Sequence, residues 1–320
     1  MLLGVEGASI GRNPQSRSGR RTKLTSSATR PATERRHPAS GELDARDTPS
    51  ILRLIQAQDA SVPAAVKAQI PNIAKAVEAA VHALRRGGRL IYVGAGTSGR
   101  LGVLDAAECP PTFGVSPNTV LAVIAGGPRA LLRAAEAAED DRDQGRRDLA
   151  AHQVGAKDIV IGLTASGRTP YTLGALAYAR SRRAATVCIT SNPGSPATRL
   201  ARIAIVPATG PEVLSGSTRM KAALAQKMVL HMLSTTVMIR VGHVYQNYMV
   251  GVRPTNRKLV ERACAILGAL TGADEKTAAR TLQQAGNDVK TAVVMLQRGL
   301  NRVAAEKLWR RHGGNLRAIL

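Results

Sequence analysis

Residues 88–100, GRLIYVGAGTSGR, set the architecture of the chain. A short apolar run at 90–93 leads directly into glycines at 94, 96 and 99. A buried strand that ends in a glycine turn and continues into a helix is the start of an α/β unit. The backbone N–H groups of such a turn lie at the positive end of the helix and suit an anion such as phosphate. The spacing also fits a dinucleotide fingerprint, but the acidic residue expected about 20 residues later is absent around 116–119.

Four more short apolar runs alternate with helical segments after this unit. They are residues 120–125, 158–164, 186–190 and 203–207. Strands that alternate with helices indicate a parallel sheet with helices on its faces. The sequence therefore predicts an α/β fold, a three-layer sandwich around a five-stranded parallel sheet that starts with residues 89–94.

The remaining segments predict how the chain is divided. Residues 51–86 have helical periodicity, a long helix is expected from Ser217 to about 241, and Asn287-Asp288 suits the cap of a helix at 289–298. We expect a disordered basic extension at 1–32, a phosphate-binding domain with an N-terminal helical segment at 33–255, and a small helical domain at 256–320.

The bulk properties exclude several classes of protein. The formal charge of +23 favours a polyanionic partner if taken alone. Because the arginines are spread over helical faces and over the first 32 residues, we interpret the charge as a solvated surface and expect no nucleic-acid partner. The longest apolar stretch, 228–239, is shorter than the roughly 20 residues of a membrane helix. The three cysteines show no disulfide or zinc spacing, so we expect a soluble, cytoplasmic protein without a metal site.

A second hydroxyl-rich turn follows the third predicted strand, where residues 164–170 read TASGRTP. The carboxyl ends of parallel strands are where ligands bind, so two such loops can meet on one phosphate. The candidate phosphate ligands are therefore Thr97, Ser98, Gly99, Thr164, Ser166, Gly167 and Thr169. The alternative is that Ser166 and Thr169 only cap the following helix.

Two groups of carboxylates are candidates for chemistry. Glu108 precedes Pro110-Pro111, which predicts that the helix ends there and that a carboxylate lies at its unfavourable negative end. A raised pKa suited to a general acid and a plain exposed side chain are both compatible with that position. Residues 136–141 hold an acidic cluster that includes Glu139, and an acidic cluster is most often a solvated face.

Together these motifs resemble the N-acetylmuramic acid 6-phosphate etherase family over about residues 33–320. The resemblance rests on 33–40 (TERRHPAS), 88–100, 105–114 (DAAECPPTFG), 136–140 (EAAED), 165–171 (ASGRTPY) and 216–221 (GSTRMK). It implies a sheet domain of the sugar isomerase type, with Glu108 as acid, Glu139 as base and Ser98, Ser166 and Thr169 on the phosphate. The chain departs from the family's usual pattern at Ala137, where glycine is usual, and at 222–224, where Ala-Gly-Thr is usual.

The family's activity implies a lyase that cleaves the D-lactyl ether of N-acetylmuramic acid 6-phosphate to N-acetylglucosamine 6-phosphate and D-lactate. The resemblance implies a homodimer that acts on a small sugar phosphate and needs no cofactor. Glu212 and Ser217 form a further polar group that can hold sugar hydroxyls or the lactyl carboxylate, and Ser217 can equally be a helix cap.

Three other functions remain open from the sequence. A regulator similar to the glucokinase regulatory protein would bind sugar phosphates without turnover. An aldose–ketose isomerase would need a base but no acid for a leaving group, and a nucleic-acid binder would use the basic surface. The pairing of Glu108 with Glu139 favours turnover.

Overall fold

The computed structural model of this chain describes residues 30–320. Positions 1–29, and with them nearly all of the predicted disordered extension at 1–32, lie outside the described residues. The helices and strands are α1 Thr48–Asp59, α2 Val62–Lys67, α3 Ile70–Arg85, β1 Leu90–Gly94, α4 Gly96–Phe113, β2 Val120–Ile124, α5 Arg142–Ala151, β3 Ile159–Leu163, α6 Pro170–Ser181, β4 Ala185–Ile189, α7 Pro196–Leu200, β5 Ile203–Ile205, α8 Lys221–Arg240, α9 Arg257–Thr271, α10 Glu275–Gln284, α11 Val289–Arg298 and α12 Arg302–Arg311.

The five strands form one parallel sheet in the order β2-β1-β3-β4-β5. Every predicted strand is present, and its bounds agree with the expectation within two residues. Because β1, β3 and β4 are neighbours, the turns that follow them lie side by side at the carboxyl edge of the sheet. The predicted five-stranded α/β architecture is confirmed.

Helices cover both faces of the sheet and make three layers. Leu90 and Tyr92 point to one face, where they pack with apolar side chains of α3, α4 and α8. Ile91 and Val93 point to the other face, where they pack with α5, α6 and α7. All four side chains are fully buried, as expected for a parallel sheet covered on both sides.

The prediction that the helix with Glu108 ends at the following prolines is wrong. α4 continues to Phe113 with Pro110 and Pro111 inside it, and it ends at Gly114, which has a left-handed φ of 66°. Proline fixes φ at a helical value, so the last turn can keep helical geometry at the cost of two N–H donors. Glu108 therefore lies in the body of α4, more than a turn before its end.

The helical segment predicted at 51–86 is confirmed, and the start of the long helix predicted from Ser217 needed correction. The segment 51–86 is divided among α1, α2 and α3, with prolines at the second residue of α2 and of α3. The long helix expected from Ser217 begins at Lys221.

α8 is long and apolar enough to cross a membrane, but more than half of its most apolar stretch is buried inside the protein. It packs with α3 and α4 as a core helix.

The last four helices surround a separate apolar cluster. Its members include Ala263, Leu267, Val293 and Ala305, and Trp309 packs on its side. α11 begins and ends at the predicted residues, with Asp288 accepting a hydrogen bond from Thr291 N as its cap. The helical C-terminal region is confirmed, whereas the domain boundary at residue 256 stays a prediction.

Candidate active site

The first turn of α4 is open to an anion. α4 begins at Gly96 directly after β1, and no side chain caps its N-terminus. Its first backbone N–H groups are therefore not satisfied by a side chain and can bind a negative group. Ser98 is nine-tenths buried and Thr97 is half-buried in this turn.

The turn after β3 brings its hydroxyls together beside the first loop. Thr164 Oγ1 lies 2.9 Å from Thr169 Oγ1 and accepts a hydrogen bond from Gly167 N at 3.1 Å. Ser166 Oγ accepts a hydrogen bond from Arg168 N at 3.2 Å. Thr169 stands at the N-cap of α6 but makes no side-chain cap, so its hydroxyl is engaged with Thr164 rather than with the helix. The interpretation of Ser166 and Thr169 as mere helix caps therefore does not hold.

The turn after β4 was not among the predicted phosphate-binding loops, although it also follows the carboxyl end of a strand. Ser191 and Ser195 have buried hydroxyls without a hydrogen-bond partner among the residues that the structure describes. Ser195 Oγ would lie only 2.1 Å from a Cβ at Gly167, so this turn touches the second phosphate loop. Buried hydroxyls are normally satisfied, and a bound ligand is one explanation for an open one. The signal was the run Ser-Asn-Pro-Gly-Ser immediately after a predicted strand.

Glu139 lies beside the turn between β1 and α4, which is the first of the candidate phosphate loops. It ends a single 3-10 turn, Glu136–Glu139, and its Oε1 would lie 2.7 Å from a Cβ built on Gly96. Gly96 has a φ of 51°, which favours glycine, and any larger residue there would displace the Glu139 carboxylate. Burial raises the pKa of Glu139, and the negative charges of Asp140 and Glu136 raise it further.

Glu108 is not brought to Glu139 within one chain. Twelve helical residues separate Glu108 from Gly96, and the rise along the helix is about 18 Å. Glu108 is exposed on α4 at the mouth of a cavity of about 320 Å³ that also holds Lys227 and His231 of α8. Glu139 thus lies beside the first residue of α4, whereas Glu108 lies on the body of that helix, more than three turns further on.

Asp105 supports the helix face that carries Glu108. Tyr92 OH donates to Asp105 Oδ2 at 2.8 Å, and Ser234 Oγ donates to Asp105 Oδ1 at 3.2 Å. Burial raises the pKa of Asp105, which the two hydrogen bonds partly offset. This pair of bonds ties α4 to both β1 and α8.

Glu212 is not a ligand contact but the cap of α8. It is fully buried, and its two carboxylate oxygens accept hydrogen bonds from Lys221 N at 3.0 Å and Ala222 N at 2.9 Å. Its carboxylate is therefore occupied by the positive end of the helix, where a negative charge is favourable. Ser217 lies four residues before α8 and does not cap it; the N-cap residue is Met220.

A metal site is not formed by the part of the chain that the structure describes, where no three His, Cys, Asp or Glu side chains cluster. The three cysteines are buried and free, and burial raises the pKa of Cys109 and of Cys188 to about 12.

A parallel sheet whose strands end in adjacent hydroxyl-rich turns defines a sugar isomerase domain protein. Residues 143–245 match the SIS domain family, and residues 72–180 match the glucokinase regulatory protein N-terminal SIS domain. The chain belongs to the N-acetylmuramic acid 6-phosphate etherase family. It is 53% identical over 287 residues to the N-acetylmuramic acid 6-phosphate etherases of Yersinia pestis (strain Pestoides F) and Yersinia pseudotuberculosis (serotype O:1b, strain IP 31758), which covers 90% of this chain and 97% of each relative.

Solved structures with a similar fold include two phosphoheptose isomerases. The protein from Francisella tularensis is 20% identical with a TM-score of 0.43, over 61% of this chain and 97% of that chain. The protein from Neisseria gonorrhoeae is 16% identical with a TM-score of 0.44, over 59% of this chain and 96% of that chain.

Proposed function

We propose that this chain is a carbon–oxygen lyase that removes the D-lactyl group from N-acetylmuramic acid 6-phosphate, in the cytoplasm and in the recycling of cell-wall amino sugars. The products are N-acetylglucosamine 6-phosphate and D-lactate. The 53% identity to etherases over nearly their full length supports the activity. The observation that carries the site is the contact of Glu139 with the phosphate loop at Gly96.

The phosphate binds between the turns that follow β1 and β3. Backbone N–H groups of α4 and the hydroxyls of Ser98, Ser166 and Thr169 hold its oxygens. Orientation of the sugar by a group far from the reacting carbons lowers the barrier, by up to about 7–11 kcal/mol in favourable cases. Loss of one of these hydroxyls therefore reduces turnover as well as affinity.

Glu139 acts as the general base. In the open-chain sugar the C1 aldehyde acidifies the C2 proton, and the Glu139 carboxylate removes it. The electron pair forms the C2–C3 double bond and expels the lactyl oxygen from C3. A pKa raised by burial makes Glu139 a stronger base than an exposed glutamate.

Glu108 acts as the general acid and protonates the departing lactate oxygen. C2 and C3 are bonded neighbours, so both carboxylates must reach the same sugar. Because about 18 Å of helix separates them within one chain, we propose that Glu108 of a second chain completes each site. Water then adds at C3 with the proton transfers reversed, and the enzyme works as a homodimer with two shared sites.

The test is a D-lactate assay on N-acetylmuramic acid 6-phosphate in oxygen-18 water. Wild type should release lactate and place the label at C3 of the sugar. Glu108→Gln and Glu139→Gln should each lose about 10²–10⁴-fold in rate while still binding N-acetylglucosamine 6-phosphate. Tight binding of the sugar phosphate by wild type without lactate release would favour a regulator instead.

Coexpression of the two inactive variants tests the shared site. Mixed dimers carry one site with both carboxylates, so a random mixture should recover about a quarter of wild-type activity. The matched control is a chain that carries both substitutions, coexpressed with either single variant, which should recover none. Failure of the two single variants to complement each other would mean that each chain holds a complete site.

A further inference from the structure

A separate cavity of about 560 Å³ opens at the amino edge of the sheet, opposite the phosphate loops. Its walls are the residues that precede β3, β4 and β5 and the carboxyl ends of α3 and α6. Nothing in the proposed reaction uses this end of the molecule. Its volume is in the range of small-molecule sites.

The walls of this cavity are strongly basic. Five lysine and arginine residues line it, all of them exposed: Arg86, Lys157, Arg180, Arg183 and Arg202. Asp158 is the one acid in the lining, and it is already paired, because Arg89 Nη2 donates to its Oδ2 at 2.8 Å and Arg89 Nε to its Oδ1 at 3.1 Å. Among the described residues, no ion pair joins any of the five to an acid. Their charges are therefore uncompensated.

Helix dipoles explain the positions of only some of these five cations. Arg86, Arg180 and Arg183 lie at or just beyond the carboxyl ends of α3 and α6, where a cation is stabilised by the helix dipole. Arg202 follows the short helix α7 in the same way, but Lys157 lies on the loop before β3, six residues after α5, and has no such reason to be there. Mutual repulsion opposes the convergence of five cations, and an anionic ligand removes that cost.

The inner wall is apolar and made mostly of alanine side chains. It consists of Ala79, Ala83, Ala184, Ala185, Leu200 and Ala201. Guanidinium groups donate pairs of hydrogen bonds to phosphate, and an apolar wall accepts a planar or aliphatic part of a ligand. We propose that this cavity binds a small molecule with two or more phosphate groups, such as a nucleoside triphosphate or a short inorganic polyphosphate. A concave pocket of this size fits such a ligand better than an extended nucleic acid.

The test is isothermal titration calorimetry of the full chain with ATP, sodium tripolyphosphate and inorganic phosphate. ATP or tripolyphosphate should bind at one site per chain and more tightly than phosphate. Tighter binding of ATP would identify a nucleotide as the ligand, and equal binding would identify the phosphate chain as the recognised group; both results support the proposal. Equal affinity for phosphate and tripolyphosphate would overturn it.

Substitutions locate the binding. Arg180→Gln/Arg202→Gln should weaken tripolyphosphate binding by about tenfold, and Lys157→Gln by about threefold, since each removes a charge-assisted contact. Arg53→Gln/Arg262→Gln removes the same charge from exposed positions outside the cavity and is the matched control. All variants should keep lactate release, because none of the substituted residues touches the phosphate loops. The same affinity in the cavity variants as in the control would place the ligand elsewhere and refute the proposal.

Discussion

The position of the Glu139 carboxylate depends on the absence of a side chain at Gly96. Its carboxylate occupies the space that any side chain at Gly96 would fill, 2.7 Å from where a Cβ would be. The same glycine begins α4 and leaves the first N–H groups of the helix open. One residue thus makes room for the proposed base and for the proposed phosphate site at the same time.

The acidic neighbours of Glu139 contribute to its raised pKa. Burial is the largest cause of its raised pKa, followed by the charges of Asp140 and Glu136. A base must be ionised, so activity should fall as the pH drops through this pKa. Asp140→Asn removes one like charge, which lowers the pKa of Glu139 and should move the acidic limb of the kcat/KM profile to lower pH.

The control for that profile is Asp143→Asn. Asp143 is also an exposed aspartate of this segment, but it does not contribute to the raised pKa of Glu139. Its profile should match that of wild type. A limb that does not move in Asp140→Asn, or that moves toward higher pH, would show that Glu139 is not the group that titrates.

The first turn of α8 is capped by the buried carboxylate of Glu212 and not by the hydroxyl of a serine or threonine. Glu212 accepts hydrogen bonds from two backbone N–H groups of its first turn, within an interior that offers them no water. Lys221 Nζ donates to Gln58 Oε1 at 3.0 Å, which ties the same turn to α1.

Removal of this carboxylate should destabilise the fold. Glu212→Ala leaves two buried donors unsatisfied and should lower the free energy of unfolding by about 2–4 kcal/mol. Glu212→Gln keeps one acceptor and should lose less. Urea unfolding followed by circular dichroism measures both, and Glu34→Ala replaces an exposed glutamate as the control. Equal stability of Glu212→Ala and wild type would rule out the capping role.

The elements show which parts of the fold a sequence can predict. The five strands and α11 were placed from apolar runs and a capping Asp because those signals lie within a few residues of one another. The end of α4 differs from the prediction because the cost of a proline inside a helix, a lost N–H donor and a clash of the ring with the preceding turn, can be outweighed by tertiary packing.

Features that depend on distant contacts were beyond the sequence. The role of Glu212 requires a contact between a loop and a helix nine residues on, and the separation of Glu108 from Glu139 follows from the helix that joins their positions. The resemblance named both glutamates, and only the geometry shows that they are far apart within one chain.

At the scale of the whole molecule, hydrogen bonds join the N-terminal segment to the candidate phosphate site. Asn192 Nδ2 donates to Thr33 Oγ1 and to Ala165 O, both at 2.9 Å, and all three groups are buried. Ala165 belongs to the second phosphate loop. A contact that spans 159 residues therefore positions a loop that we propose to hold the phosphate.

Thr33→Val tests this connection. The substitution keeps the shape but removes the hydroxyl, so Asn192 loses one of its two acceptors and holds the loop less firmly. We expect KM for the sugar phosphate to rise about three- to tenfold with a smaller change in kcat, and a loss of about 1 kcal/mol of stability. Thr271→Val removes a hydroxyl that donates to Leu267 O in α9 and should leave KM unchanged. An unchanged KM in Thr33→Val would limit the segment to a packing role.

The position of α8 in the chain has a consequence for biosynthesis. α8 is the one described helix that is long and apolar enough to cross a membrane, and the buried residues of other elements that pack with it, from Val62 to Ile205, precede it in the chain. Chains fold from the N-terminus as the ribosome releases them. By the time α8 leaves the ribosome, most of the surface that buries it has already been synthesised, so this apolar helix can be covered soon after it emerges.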